Sequence, residues 1–173
     1  MAELVVFYSH VGEICICGDI KNIELGITET AAGILKELTG ADSFKIETAI
    51  PAPKDFSGFI NQAMTDLQRN ARPELVQYPE RLDDYAVIYL GYPNYFKTMP
   101  VAVYSFLERT KLSGKKIRVF CTHGGDGFGH SIQEIEKLCP EAVIEVGPAI
   151  RDSEISNAES VLKEWVRQRK ENQ

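Results

Sequence analysis

Residues 86–100 read Ala86-Val87-Ile88-Tyr89-Leu90-Gly91-Tyr92-Pro93-Asn94-Tyr95-Phe96-Lys97-Thr98-Met99-Pro100. The first five are apolar on both faces, the pattern of a central strand in a parallel sheet covered on both sides. Downstream, Val101–Leu107 has helical spacing, with Pro100 suited to its first turn. Ile117–Cys121 is a second buried strand, Ser131–Leu138 a helix ended by Pro140, and Ala142–Val146 another strand. Ile155–Arg169 closes the chain as an amphipathic helix, with Ala158, Val161, Leu162, Trp165 and Val166 on one face. Upstream, Leu4–Tyr8 is a short apolar strand, and Thr28–Leu38 a helix with Ala31, Ile34, Leu35 and Leu38 in helical register, stopped by Gly40. Ser43–Ile46 alternates as a strand, and Phe59–Leu67 is a weaker amphipathic helix. Five strands alternating with five helices predict an α/β fold, a parallel sheet between two helical layers. No repeat or linker interrupts it, so residues 1–173 are expected to form a single domain.

Composition narrows the class. Of 173 residues, 44% are hydrophobic and 25% charged, close to an average globular protein, which excludes collagen-like, coiled-coil and disordered readings. The 25 acids against 19 bases give a net charge of -6, and no basic stripe exists to neutralise phosphates, so nucleic acid is not the expected partner. No apolar run approaches the ~18 residues of a membrane helix. Met1-Ala2-Glu3-Leu4 carries an acid and no basic n-region, and the four cysteines then read as reduced thiols. The expectation is a cytoplasmic protein that does not contact membranes.

A doubly wound sheet binds ligands beyond the carboxyl ends of its strands, at the switch point. The loops there are 9–27, 91–99 and 122–129. In the first, Ser9, Thr28 and Thr30 supply hydroxyls beside a helix N-terminus, and Gly26 permits close backbone approach; the set suits a phosphate, although threonine there also caps helices. The second holds three aromatics, which either pack down as core or form a platform for a flat ligand. The third, Thr122-His123-Gly124-Gly125-Asp126-Gly127-Phe128-Gly129-His130, has four glycines in nine residues. It lacks the GxGxxG spacing of a dinucleotide site but exposes backbone groups to the edge of a planar heterocycle. Phosphate, aromatic wall and bare backbone together describe a mononucleotide with a broad ring, and FMN fits that description.

Leu90-Gly91-Tyr92-Pro93 with aromatics at 95 and 96, Cys121-Thr122-His123-Gly124-Gly125 with Gly127 and Gly129, and Asn70-Ala71-Arg72-Pro73-Glu74-Leu75 carry a family resemblance. The chain resembles the flavodoxin-like family, in particular a bacterial branch with a long first loop. No insertion interrupts the fifth strand, as in short-chain flavodoxins. The resemblance implies a three-layer sandwich with a five-stranded parallel sheet of order 2-1-3-4-5 and FMN bound non-covalently. By position it implies FMN contacts from Ser9, Gly26, Ile27, Thr28 and Glu29 at the phosphate. Around the ring it implies Pro93, Asn94, Tyr95 and Phe96, then Thr122, His123, Gly124, Gly125 and Gly129. Three features depart from the pattern. Gly26-Ile27-Thr28-Glu29 has isoleucine where relatives have asparagine, Cys15-Ile16-Cys17 occupies the first loop, and Tyr95-Phe96 stands where relatives often have two tryptophans.

Four sulfurs match the count of a zinc or iron–sulfur site, but Cys15-x-Cys17 with Cys121 and Cys139 lacks paired CxxC spacing, and no metal is expected. Cys15 and Cys17 are open to oxidation in an exposed loop. His123 is expected to make a loop hydrogen bond, with His10 and His130 solvated. No Ser-His-Asp set or carboxylate pair supports hydrolysis, and no catalytic residue is assigned. The leading expectation is a low-potential electron carrier served by a redox partner protein, a flavodoxin reductase or an acceptor enzyme, and active as a monomer or homodimer. The alternatives are an NAD(P)H-dependent FMN quinone or nitro reductase and a cofactor-free signalling or scaffold domain.

Overall fold

In the computed structural model, which describes residues 2–172, the apolar runs become strands of one parallel sheet. In chain order the elements are β1 (Ala2–Phe7), β2 (Gly12–Ile16), β3 (Asp19–Ile23), α1 (Ile27–Thr39), β4 (Asp42–Lys45) and α2 (Phe56–Gln68). They continue with β5 (Tyr85–Pro93), α3 (Val101–Arg109), β6 (Lys116–His123), α4 (Ser131–Leu138), β7 (Val143–Arg151) and α5 (Ala158–Glu171). The sheet order is β4-β1-β5-β6-β7, every pair parallel. Without the separate β2–β3 pair this is the expected order 2-1-3-4-5, with the switch point between β1 and β5.

Two cores flank the sheet. On one face Ala31, Ala32 and Leu35 of α1 meet Ala158, Leu162 and Val166 of α5 over Val5, Tyr89 and Phe120. On the other, Val103, Phe106 and Leu107 of α3 and Ile135 of α4 cover Val6, Leu90 and Val119. Each such large apolar side chain, fully buried, contributes about 1.5–3 kcal/mol. Helix α2 lies against β2 and α3.

The structure corrects several boundaries. The first loop contains an antiparallel hairpin, β2 with β3, in which Gly12 faces Ile23 and Ile16 faces Asp19. Its tip is a two-residue turn with Cys17 at φ 51° and Gly18 at φ 84°, the twist that suits a hairpin. Strand β5 runs on through Gly91, Tyr92 and Pro93, so Tyr92 is core and not loop: it is fully buried, with its hydroxyl 2.7 Å from Ser131 Oγ. Strand β7 extends to Arg151 because it keeps pairing with β6 as far as His123. Residues 152–157 form a 3-10 turn, so α5 begins at Ala158 and not at Ile155.

Candidate functional site

The site grows from the start of α1. Gly26 stands at its N-cap, where a Cβ would lie 1.9 Å from Ser9 Oγ; glycine is what lets Ser9 in. Ser9 Oγ accepts a hydrogen bond from the Glu29 N–H at 3.1 Å, and so caps the helix from outside its own segment. The Thr28 hydroxyl is buried 2.7 Å from the Thr122 hydroxyl, tying α1 to the end of β6. Thr30 Oγ1 donates back to the Gly26 carbonyl at 3.1 Å. The Glu29 carboxylate turns to Lys45, 3.1 Å away.

After β5 the chain makes a tight turn, with Tyr95 N–H donating to Thr98 O at 2.8 Å and Thr98 N–H to Tyr95 O at 3.1 Å. Phe96 and Lys97 have φ of 52° and 68°, left-handed backbone that costs non-glycine residues about 1–3 kcal/mol each. Asn94 holds the turn: its Nδ2 donates to Gly127 O at 2.7 Å and its Oδ1 accepts from the Lys97 N–H at 2.9 Å. Gly129, at φ 55°, packs so close that a Cβ would lie 2.0 Å from Lys97 O. The strained turn therefore locks the second loop to the third, and it carries Phe96, 38% exposed, at its tip. Tyr95 points the other way, edge-on to Phe59 at 5.2 Å and perpendicular to Tyr8 at 6.2 Å.

Beyond β6, Gly124 and Gly125 are exposed, and no atom lies within 4 Å of where a Cβ would stand on either. His123 ends the strand, buried, with Nδ1 lacking a partner among the described residues; burial pushes its pKa down. His10 is not solvated as expected. It is buried and stacked on Phe59 at 3.9 Å, with Nε2 3.3 Å from Glu13 O, and burial lowers its pKa too. His130 is exposed.

These pieces enclose a cavity of about 240 Å3. Ser9, Ile27 and Thr28 line one side; Pro93, Asn94, Tyr95 and Phe96 another; Thr122 and Gly124 a third. Gly26, Glu29, His123, Gly125 and Gly129 lie outside the lining. Five lining residues that escaped sequence reading are Ile14, Cys15 and Ile23 of the hairpin, Phe59 of α2, and Asp152 just after β7. The spacing of Ile14 and Ile16 before Cys17-Gly18 was the available signal for the hairpin. Asp152 had none, because its character is tertiary: desolvation pushes its carboxyl up to about 6. No lysine or arginine lines the cavity, so an anion there relies on the start of α1 and on hydroxyls. The four cysteines are free thiols, Cys15 and Cys17 exposed, Cys121 and Cys139 buried.

Comparison with known proteins agrees with this fold. A sequence-family model described as Flavodoxin matches residues 23–169. The fold is similar to a candidate flavoprotein from Bacteroides uniformis (19% identity, TM-score 0.76, covering 96% of this chain and 97% of that one). It is also similar to one from Bacteroides eggerthii (23%, TM-score 0.72, 93% and 97%). A flavoprotein from Lactobacillus acidophilus, solved in complex with FMN, superimposes at 15% identity with TM-score 0.65 over 92% and 97% of the two chains. Among curated protein sequences none matches significantly.

Proposed function

Because the chain belongs to the flavodoxin family, we propose that it binds FMN non-covalently in the 240 Å3 cavity and works as an electron-transfer flavoprotein. One observation carries the reading: a single cavity at the carboxyl edge of the sheet joins an α1 N-terminus, an aromatic turn and open glycine backbone. The residues fit the cofactor. Ser9 and the first amides of α1 would hold the phosphate, Phe96 would flank the ring, and Gly124 would meet its polar edge. Bound FMN supplies one- and two-electron transfer, and the protein's part is to orient the ring and set the charge around it. The net charge of -6 and the absence of any recognisable nicotinamide site favour a carrier over a stand-alone reductase. The partner is then a flavodoxin reductase or an acceptor enzyme, and the exposed free thiols Cys15 and Cys17 favour the reducing cytoplasm.

Titrating the protein into FMN and following flavin fluorescence tests the cavity. FMN should be quenched stoichiometrically, with riboflavin binding at least tenfold more weakly. Equal affinities would remove the phosphate assignment, and no binding of either would leave a scaffold domain. Steady-state NADPH oxidation should be negligible alone and fast with a flavodoxin reductase, the coupled rate falling as salt rises. Direct oxidation with menadione at about 1 s⁻¹ or more would make the protein a reductase instead.

A further inference from the structure

A second and larger cavity, about 470 Å3, lies between α2, the start of α3 and the segment after β4. Its volume is in the range of small-molecule sites. Ala71, Arg72 and Pro73, from a stretch to which the FMN reading gives no role, form part of its wall. The backbone there is fixed. Asn70, at φ 50°, takes the left-handed position after α2, and the N–H groups of Asn70 and Ala71 donate to Leu67 O at 3.2 Å and Asp66 O at 2.8 Å. The chain then pairs back on the segment after β4, with Ala49 N–H donating to Glu74 O at 2.8 Å and Val76 N–H to Glu47 O at 2.9 Å. The wall is therefore preformed.

The lining divides by chemistry. Pro51, Leu67, Met99, Val101 and Ala102 are its apolar part, and Ile50 stands 85% exposed at the rim. Its charged part is two guanidinium groups and one carboxylate, from Arg69, Arg72 and Asp66. Arg72 is engaged: Nε donates to Glu108 at 2.9 Å and Nη1 to Ala71 O at 3.0 Å, and the group lies 4.6 Å over the Tyr104 ring. Asp66 accepts from Gln62 Nε2 at 2.8 Å. Arg69 follows Asp66 by about one helical turn, yet its guanidinium makes no ion pair with it and no hydrogen bond among the described residues. The 240 Å3 cavity, by contrast, has no lysine or arginine in its lining. A free guanidinium matches a carboxylate through two parallel N–H bonds. Arg69 is thus the cation left to meet a ligand, and Asp66 beside it repels a second negative charge.

We propose that this cavity binds a small organic monocarboxylate with an apolar body, its carboxylate paired with Arg69 and its body against Leu67, Met99 and Val101. A dicarboxylate would set its extra charge against Asp66. The site stands independently of the FMN reading, although Phe59, Ala63 and Tyr95 line both cavities.

Isothermal titration of the full chain, without added cofactor, compares 3-phenylpropionate with its uncharged amide, 3-phenylpropionamide. The carboxylate should bind one to one and about tenfold more tightly than the amide. Arg69→Gln should remove that preference and Arg69→Lys keep part of it; the residue is exposed, so both variants should fold. Arg81→Gln, at an exposed arginine outside the lining, should change nothing. Ala52→Trp at the half-buried rim should weaken the carboxylate about tenfold, and 2-phenylsuccinate, a dicarboxylate, should bind less tightly than 3-phenylpropionate. Equal affinities for acid and amide, or equal losses in Arg69→Gln and Arg81→Gln, overturn the site. With FMN at saturation the carboxylate should still bind, and one-for-one displacement would overturn a separate site. FMN binding without carboxylate binding strikes the larger cavity alone; carboxylate binding without FMN binding strikes only the FMN reading.

Discussion

Asp152 shows how much a single carboxyl depends on its surroundings. It borders the cavity beside Thr122 and Gly124, and burial raises its pKa from 3.8 to about 6. The sign follows from linkage. A carboxyl raised on folding favours the folded state most below pH 3.8, and that contribution is lost as pH rises through about 6. Asp152→Asn should therefore raise the melting temperature by a few degrees at pH 7.5 and leave it nearly unchanged at pH 3.5, by calorimetry across that range. The same variant should bind FMN more tightly at pH 7.5, because it removes a negative charge from the cavity proposed to take the phosphate ester. A melting temperature lowered at both pH values would show that the carboxylate makes a stabilising bond instead. At position 27 the chain carries isoleucine where the family pattern has asparagine, and the structure places it on the cavity wall, next to the hairpin residues that replace an open loop.

The hairpin is the element that sequence reading missed. Its strands are short, and most of β3 is polar and exposed, so only Ile14, Ile16 and Ile23 mark an inner side. By contrast, β1, β5 and β6 were legible because burial on both faces leaves almost unbroken apolar runs, which nothing but a covered sheet accommodates. Tyr92 was misassigned because an aromatic beside Pro93 reads as loop until β6 is seen to pair that far. In the site, the proximity of Ser9 to Gly26 and the start of α1 was readable, because a strand and the helix that follows it meet at the carboxyl edge of the sheet. Asp152, His10 and Phe59 were not, since their contributions arise only where separate segments meet. The hairpin is held at its base by Gly12, at φ 109°, where a Cβ would lie 2.6 Å from Lys54 O. Glu13 adds two ties there, its N–H donating to Lys54 O at 2.7 Å and its carboxylate accepting from the Phe56 N–H at 3.0 Å. Gly12→Ala should release this base. Hydrogen exchange of amides 12–23 should quicken at least tenfold while the amides of β5 and β6 keep their protection.

At the scale of the whole molecule, a row of charge crosses the α1–α5 face of the sheet. Arg118 of β6, 2% exposed, bonds Glu145 of β7 at 2.8 Å and Glu3 of β1 at 3.3 Å, and its guanidinium lies 3.3 Å from the Tyr89 hydroxyl of β5. Three strands are thus coupled to one buried cation. The two halves of the row should respond unequally to mutation. Glu145→Ala leaves the cation buried and short of a partner, and should cost up to about 3 kcal/mol. Arg118→Met replaces it with a side chain of similar reach, leaves Glu145 paired with Lys116 at 3.0 Å and Glu3 with the Tyr89 hydroxyl at 3.1 Å, and should cost less than half of that by urea denaturation. Equal losses would mean that packing and not charge dominates the row.

The β2–β3 excursion leaves the molecule and returns to nearly the same point, Gly12 lying opposite Ile23, with an exposed tip at Cys17-Gly18 and flanks that reach the 240 Å3 cavity. Such a loop is a handle. A dye or peptide tag carried at its tip would sit outside the five-stranded sheet yet move with the cavity wall, so the fold has a built-in place for a reporter of ligand occupancy.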